Sequence, residues 1–133
     1  MSTVVWPEMS TVLAVHEALI SRFGGSHGVR DEALLESALA QPLQSFAGDD
    51  LYPGLSLKAA RLAYGVVVNH PFFDGNKRTG AALLGAVLHS NGVTFAPKAG
   101  ALADAILEVA AGAWSFDDFA AWVDRVLLSA VEE

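Results

Sequence analysis

The chain has 133 residues, of which 53% are hydrophobic and 17% charged, so it can bury one core and is not expected to be disordered. Eight Lys and Arg against fifteen Asp and Glu leave a net charge of -7, which argues against direct nucleic acid binding. There is no cysteine, so disulfides and thiolate metal sites are excluded. No apolar stretch reaches the ~20 residues of a membrane span and no secretory signal is evident, so we predict a cytoplasmic protein without membrane contact.

Two helices are predicted in the N-terminal part of the chain. Apolar residues recur at three- and four-residue spacing over Met9–Phe23, with Pro7 in the first turn and Gly24-Gly25 as the stop signal. A second helix should begin after Asp31, whose carboxylate can cap it, and should be stopped by Pro42.

The middle of the chain predicts a loop followed by two long helices. Residues 47–54 are rich in Gly, Asp and Pro, which is typical of a loop, and Ser56 is the expected cap of the third helix. Pro71 disfavours helical geometry at the residue before it, so this helix should end there. The fourth helix is expected to begin near Asn76 and to end at Asn91-Gly92.

The C-terminal part predicts two more helices. A brief extended segment at Val93–Phe95 would precede a fifth helix bearing the apolar run Leu102–Val109. Ser115 and Asp118 form a capping-box-like pair at the start of the last helix. The expected fold is all-α, with residues 1–133 forming one domain, because neither a repeat nor a linker is visible.

The nine residues His70–Arg78 carry the features expected of an anion-binding site. The helix that starts near Asn76 leaves its first backbone N–H groups without partners, and its positive end favours an anion. Gly75 permits a tight turn and a close approach of a ligand. Lys77 and Arg78 oppose the helix dipole in its first turn, so their placement favours a phosphate beside them.

Two neighbouring side chains suggest what is done to that phosphate. The Asp74 carboxylate would repel a phosphate unless a cation such as magnesium joins the two. His70 can exchange a proton near neutral pH and could act as the base for an attacking hydroxyl. The combination predicts transfer of part of a nucleotide onto a hydroxyl group.

Each of these features is ordinary when it is taken alone. His70 could be a helix-end histidine, Asp74-Gly75 a turn, and Lys77-Arg78 a solvated face. Phe72 is expected to anchor the loop on the core under either interpretation, and His16 to be a core histidine of the first helix. We favour function because all of the parts fall within nine contiguous residues.

The segment His70–Arg78 resembles the Fic-domain signature His-x-Phe-x-Asp/Glu-Gly-Asn-Gly-Arg-x-x-Arg. It is more similar to the Doc (death on curing) toxins of that superfamily, in which a lysine follows the asparagine. The flanking stretches Gly28-Val29-Arg30-Asp31, Leu34-Leu35-Glu36-Ser37-Ala38 and Asp50-Leu51-Tyr52-Pro53 are also Doc-like, so the resemblance extends over nearly the whole chain.

The resemblance implies a compact Fic/Doc-like helical bundle with the active-site loop between two central helices. It also implies the toxin of a toxin–antitoxin pair, which phosphorylates a threonine of elongation factor Tu with ATP and magnesium and so stops translation. A cognate antitoxin protein would be its partner. The roles implied by the match are a base for His70, a magnesium ligand for Asp74, a nucleotide- and phosphate-binding turn for Gly75, Asn76, Lys77 and Arg78, and a loop anchor for Phe72.

Two alternatives stay open at this stage. A Fic-type AMP transferase is disfavoured because Lys77 stands where that pattern has Gly, and Ala81 where it has a second Arg. A binding module that kept the fold and lost turnover is disfavoured by the presence of both His70 and Asp74.

Overall fold

The computed structural model describes residues 4–132 of the chain, most of which are helical. The six helices are α1 Met9–Phe23, α2 Glu32–Ala40, α3 Leu55–Asn69, α4 Asn76–Ser90, α5 Ala101–Ala110 and α6 Phe116–Glu132. Between α2 and α3 lie a 3-10 turn, Gln41–Leu43, and two short antiparallel strands, β1 Ser45–Phe46 and β2 Asp49–Asp50. The all-α fold class predicted from the sequence is confirmed. No helix in the described part of the chain is both long and apolar enough to span a membrane.

Two of the predicted helix caps are present in the structure. The Asp31 carboxylate accepts a hydrogen bond from the Leu34 amide at 3.1 Å and so caps α2. At the start of α6, the Ser115 amide donates to Asp118 at 3.0 Å, and the Asp118 amide donates to Ser115 Oγ at 3.2 Å. These reciprocal bonds are those of the expected capping box.

Two predicted helix starts were wrong. Pro7 lies outside α1, because Glu8 is the N-terminal capping residue and the helix begins at Met9. Ser56 does not cap α3, which begins at Leu55 directly after Gly54. The Ser56 hydroxyl instead donates to the Asp124 carboxylate of α6 at 2.6 Å. The Ser56 hydroxyl therefore bonds to a residue that is distant in sequence, although the local sequence pattern predicted that it would cap α3.

The predicted loop 47–54 contains part of a small hairpin. Ala47 and Gly48 connect β1 to β2 with positive φ angles of 53° and 87°, as a two-residue hairpin turn requires. Lys58 of α3 is 7% exposed, and its ammonium binds the Asp50 carboxylate of β2 at 3.0 Å. This ion pair therefore links the hairpin to α3, whereas no residue of its two strands is buried.

The segment Val93–Phe95, expected to be extended, pairs with no strand among the described residues. Phe95 is instead buried, and its ring meets the Trp122 ring edge-on at 6.1 Å between centroids. Packing of an aromatic side chain against α6 therefore holds this connection.

Helix α3 lies at the centre of the molecule and packs against α2, α4, α5 and α6. Its contact with α4 is the most extensive, and Gly80 of α4 has no side chain where the two helices meet. A Cβ atom at Gly80 would lie 2.7 Å from Val67 Cγ2 and 3.1 Å from the Ala63 carbonyl oxygen. Residues 70–75 connect the end of α3 to the start of α4. The contact between the two helices therefore holds the two ends of this loop near each other.

Candidate functional site

His70 ends α3 in a backbone conformation that is rare for residues with a side chain. Its φ of 51° and ψ of 56° lie in the left-handed region. The Arg30 guanidinium donates from Nε to the His70 carbonyl at 2.7 Å and from a terminal nitrogen to the Asn69 carbonyl at 3.0 Å. Arg30 therefore satisfies two carbonyl groups that the end of α3 leaves without helical partners.

The segment before α2 lies against the loop and is hydrogen-bonded to it. The Arg30 and Asp31 amides both donate to the Pro71 carbonyl, at 2.7 and 3.0 Å. The Phe73 amide donates to the Gly28 carbonyl at 3.3 Å. The Doc-like stretch 28–31 is thus a support for the loop, brought to it from about 40 positions earlier in the chain.

Phe72 anchors the loop on the core of the protein. Its side chain is 1% exposed and stacks on the His16 ring of α1, with centroids 3.8 Å apart and an angle of 6° between the planes. His16 is 2% exposed, and its Nε2 lies 2.9 Å from the Asp74 carbonyl oxygen. Helix α1 therefore contributes both an apolar surface and a polar contact to the loop that joins α3 to α4.

Asn76 acts inside the loop and not at its surface. Its side chain is buried, accepting from the Phe72 amide and donating to the Phe72 carbonyl, both at 3.0 Å. The same Nδ2 atom lies 3.3 Å from His70 Nδ1. The sequence predicted a phosphate-binding role for this residue, but the structure commits its side chain to the loop and to the His70 ring. Only its backbone N–H is left for an anion.

The Asp74 carboxylate lies exposed at the mouth of the loop. One oxygen accepts from the Gly75 amide at 2.9 Å, and the other accepts from the Ser26 amide at 3.2 Å. Each carboxylate oxygen keeps a further lone pair, because each accepts one hydrogen bond here. Within residues 4–132, no three His, Cys, Asp or Glu side chains converge as a metal site. Asp74 could supply a single carboxylate to a divalent cation, as in magnesium sites that are completed by phosphate oxygens and water.

Gly75 is required by the backbone at the start of α4. Its φ is +77°, and a Cβ atom there would lie 3.1 Å from Ile20 Cδ1 and 3.7 Å from His16 Nε2. The first backbone hydrogen bond of α4 runs from Thr79 N–H to the Gly75 carbonyl at 2.9 Å. The N–H groups of the preceding helical residues have no acceptor inside the helix, so they form the positive end of α4.

Both cations of the loop are exposed on the first turn of α4. The guanidinium carbon of Arg78 lies 4.8 Å from the ring centroid of Phe23 at the end of α1. This distance is typical of a cation–π contact, and it leaves the planar group exposed at the edge of the loop. Lys77 precedes it, so an anion at the end of α4 would meet two positive side chains as well as the helix dipole.

A cavity of about 420 Å³ opens beside His70, on the side formed by the ends of α3 and α5. Its lining includes Tyr64, Val68, His70, Trp114, Ser115 and Asp118. His70 therefore belongs both to the loop and to the lining of this cavity.

The structure brings the predicted residues together within one loop, and it adds three that the sequence analysis missed. Arg30, His16 and Ser26 all contact the loop from earlier parts of the chain. The sequence carried a signal only for the region of Arg30, in the Doc-like stretch. The hydrogen bonds themselves connect positions 40 to 58 apart, and no local pattern predicts them.

The fold and the loop together define a class of small helical domains in which the candidate site lies on the loop between two central helices. Residues 6–88 match the model of the Fic/DOC family, and the chain belongs to that family. One relative, the protein named Toxin Doc of Mycolicibacterium smegmatis, is 47% identical over 74 residues. That match covers 56% of this chain and 57% of the relative, so it spans little more than half of either protein.

Proposed function

We propose that this protein is the toxin of a toxin–antitoxin pair and acts as an ATP-dependent protein kinase. The acceptor would be a threonine hydroxyl of elongation factor Tu, and phosphorylation would block translation in the cytoplasm. Membership of the Fic/DOC family and the similarity to a protein named Toxin Doc support the toxin role. The kinase activity is supported by the residues of the loop.

One observation carries the proposal: His70 and the positive end of α4 belong to the same loop, and Asn76 contacts both. Asn76 begins α4 and its side chain lies 3.3 Å from His70 Nδ1. A hydroxyl held beside His70 would therefore face a phosphate held on the α4 amides. Phosphoryl transfer needs the two groups to be held close to each other.

The proposed reaction moves one phosphoryl group. The hydroxyl proton passes to a ring nitrogen of His70 as the hydroxyl oxygen bonds the terminal phosphorus of ATP. The bond from that phosphorus to its bridging oxygen breaks, and ADP leaves. If Nε2 accepts the proton, Nδ1 must carry the other one and cannot accept a hydrogen bond from Asn76 Nδ2. The 3.3 Å contact between these two nitrogens would therefore have to change when substrates bind.

The remaining residues hold the reacting groups. Lys77 and Arg78 would neutralise the phosphates, and the N–H groups at the start of α4 would bind their oxygens. Asp74 would hold magnesium, which draws charge from the phosphate oxygens when it is bound. The cavity of about 420 Å³ beside His70 is large enough to admit a short segment of the acceptor protein.

Two positions favour phosphate transfer over AMP transfer. Lys77 adds bulk and charge at a position where the AMP-transferring pattern has a bare backbone, which favours a terminal phosphate at the turn. Ala81 lacks the second arginine of that pattern, so the outer phosphates of an AMP-donating nucleotide would lose a partner.

The mass of elongation factor Tu after incubation with this protein, ATP and magnesium tests the proposal. We expect one phosphate adduct on a threonine, and none when His70→Ala replaces the wild-type protein. An AMP adduct would show that the protein is an AMP transferase and not a kinase. No adduct from folded wild-type protein would contradict an enzymatic role on this target and favour a binding module.

A further inference from the structure

Phe23, the last residue of α1, is exposed although its side chain is large and apolar. The residue is 52% exposed, directly before the glycine that ends the helix. Burial in the core therefore does not account for a phenyl group at this position. Its ring instead contacts two arginines, with the guanidinium carbon of Arg78 at 4.8 Å and that of Arg22 at 5.4 Å from the ring centroid.

Two arginines over one ring occur nowhere else in the part of the chain that the structure describes. The other cation–π contacts there all belong to Arg61, which lies near three different rings. Each guanidinium group is attracted to the phenyl ring of Phe23, which restrains two otherwise exposed side chains. The two like charges repel each other, and a bound anion would relieve that repulsion.

Three of the eight cationic residues of the chain therefore lie around the contact between the end of α1 and the start of α4. They are Arg22, Lys77 and Arg78. None of the three forms an ion pair with a carboxylate of the described residues. Their charges add to the positive end of α4, so the cluster suits an anion that carries several charges.

We propose that Phe23 positions Arg78 for the phosphates of the nucleotide, and that Arg22 is a third cation of the same site. This inference rests on the proposed kinase function and adds to it two residues of α1, which lie outside the nine-residue loop. Phe23 is a positioning residue and not a catalytic one, because a phenyl ring offers no hydrogen-bond donor to a phosphate oxygen.

The ring acts by limiting the conformational freedom of the arginine. An exposed arginine samples many rotamers and loses that freedom when it binds a phosphate. The contact with Phe23 restrains Arg78 before the anion arrives, so less freedom is left to lose. Removing the contact should weaken phosphate binding by about two- to tenfold, the usual cost of ordering one long side chain.

Calorimetric titration with ATP and with inorganic triphosphate, each with magnesium, tests the ring separately from catalysis. Phe23→Leu keeps an apolar side chain but loses the aromatic face, so both ligands should bind about two- to tenfold more weakly. Phe23→Trp supplies a stronger aromatic face and should bind both at least as tightly as the wild type. A merely apolar role predicts the opposite order. Phe46→Leu, at a phenylalanine of β1 that is 77% exposed, should leave both affinities unchanged.

Arg22→Met tests the third cation in the same titrations. Both affinities should fall by about two- to fivefold, the range of an exposed ion pair. Arg125→Met removes the same charge from an exposed position on α6 and should change neither affinity. Thermal unfolding midpoints of the Arg22 and Phe23 variants should match the wild type, because both side chains are exposed.

The positioning role of Phe23 is overturned if Phe23→Leu binds triphosphate as tightly as the wild type, or if Phe23→Trp loses as much affinity as Phe23→Leu. It is also overturned if the wild-type protein binds ATP but not triphosphate. Unchanged affinities in Arg22→Met remove Arg22 from the site. Each of these results leaves the kinase proposal intact, provided that elongation factor Tu is still phosphorylated. Wild-type protein that binds neither ligand contradicts the kinase proposal and this inference together.

Discussion

The backbone of His70 shows how this site is held at the scale of single residues. A left-handed conformation costs a residue with a side chain about 1–2 kcal/mol, so neighbouring contacts must offset it. Arg30 binds the His70 carbonyl at 2.7 Å, and Asn76 lies 3.3 Å from the ring. The peptide group of His70 is therefore held in place before any substrate arrives, which helps to position a base.

His70→Ala tests the base directly. We expect a loss of roughly 10²- to 10⁴-fold in phosphate transfer, the usual contribution of a general base. The thermal unfolding midpoint should barely change, because the side chain is exposed. His89→Ala, at an exposed histidine near the other end of α4, is the matched control and should transfer phosphate normally. Wild-type rates from His70→Ala would remove the base assignment.

Lys77→Gly tests the choice between phosphate and AMP transfer. The change removes one phosphate-binding charge and exposes the backbone, so phosphate transfer should fall, with at most trace AMP transfer. Full AMP transfer needs the second arginine as well, which the double change Lys77→Gly with Ala81→Arg supplies. Intact-mass spectra of the acceptor separate the two adducts, and Lys98→Gly controls for loss of an exposed lysine elsewhere.

If Lys77→Gly alone phosphorylates as fast as the wild type, Lys77 neither binds phosphate nor selects the reaction. The main argument for a kinase over an AMP transferase would then fail. Phosphate transfer by the double variant at the wild-type rate would remove the argument from Ala81 as well.

Arg30→Met tests a positioning role for a residue that touches no reacting atom. Methionine keeps much of the length but cannot donate to the Asn69 and His70 carbonyls. A displaced His70 should lower kcat by up to about 100-fold, while KM for ATP stays constant because the amides of α4 are unchanged. Arg125→Met, at an exposed arginine of α6, should leave both constants unaltered. An unchanged kcat in Arg30→Met would show that the backbone holds His70 without this contact.

At the scale of helices, the contact between α3 and α4 determines the geometry of the loop. Gly80 allows the two helices to approach until a Cβ atom would be 2.7 Å from Val67 Cγ2. Both Val67 and the neighbouring Ala63 are fully buried, so neither can move aside without disturbing the core. The separation of the two helices at this point therefore decides how far His70 lies from the start of α4.

Gly80→Ala and Gly85→Ala form a matched pair on α4. We expect Gly80→Ala to destabilise the fold by about 1–3 kcal/mol, because overpacking a filled core forces shifts. At Gly85 nothing lies within 4 Å of the added Cβ atom, so alanine should stabilise the helix by about 0.5–1 kcal/mol. Denaturant unfolding of both variants measures the difference. Equal stabilities would mean that α3 and α4 are not in close contact at Gly80.

At the scale of the whole molecule, the proposed function predicts an effect on growth. Expression of the active chain in bacteria should arrest growth, and His70→Ala at the same soluble level should not. A cognate antitoxin should relieve the arrest, with apolar residues of a short helical segment docked on this chain. Normal growth at high levels of soluble wild-type protein would favour a binding module or a different target.

The sequence by itself determined most features that depend on neighbouring residues. Periodic apolar positions predicted the six helices, Asp31 and the Ser115–Asp118 pair predicted their caps, and Pro71 predicted the end of α3. The nine-residue segment also predicted where the loop lies. These features were predictable because helix formation, capping and turns are governed by contacts within about four residues.

The tertiary structure decided which distant groups hold those elements together. The Ser56 hydroxyl bonds to Asp124 and does not cap α3. Lys58 binds Asp50 and so stabilises a hairpin in a segment that the local pattern predicted to be a loop. The Asn76 side chain points inward, although the residue stands in the predicted anion-binding turn. Arg30 reached the end of α3 across 40 positions of sequence. Such contacts depend on how whole helices pack against one another, so residue spacing along the chain cannot specify them.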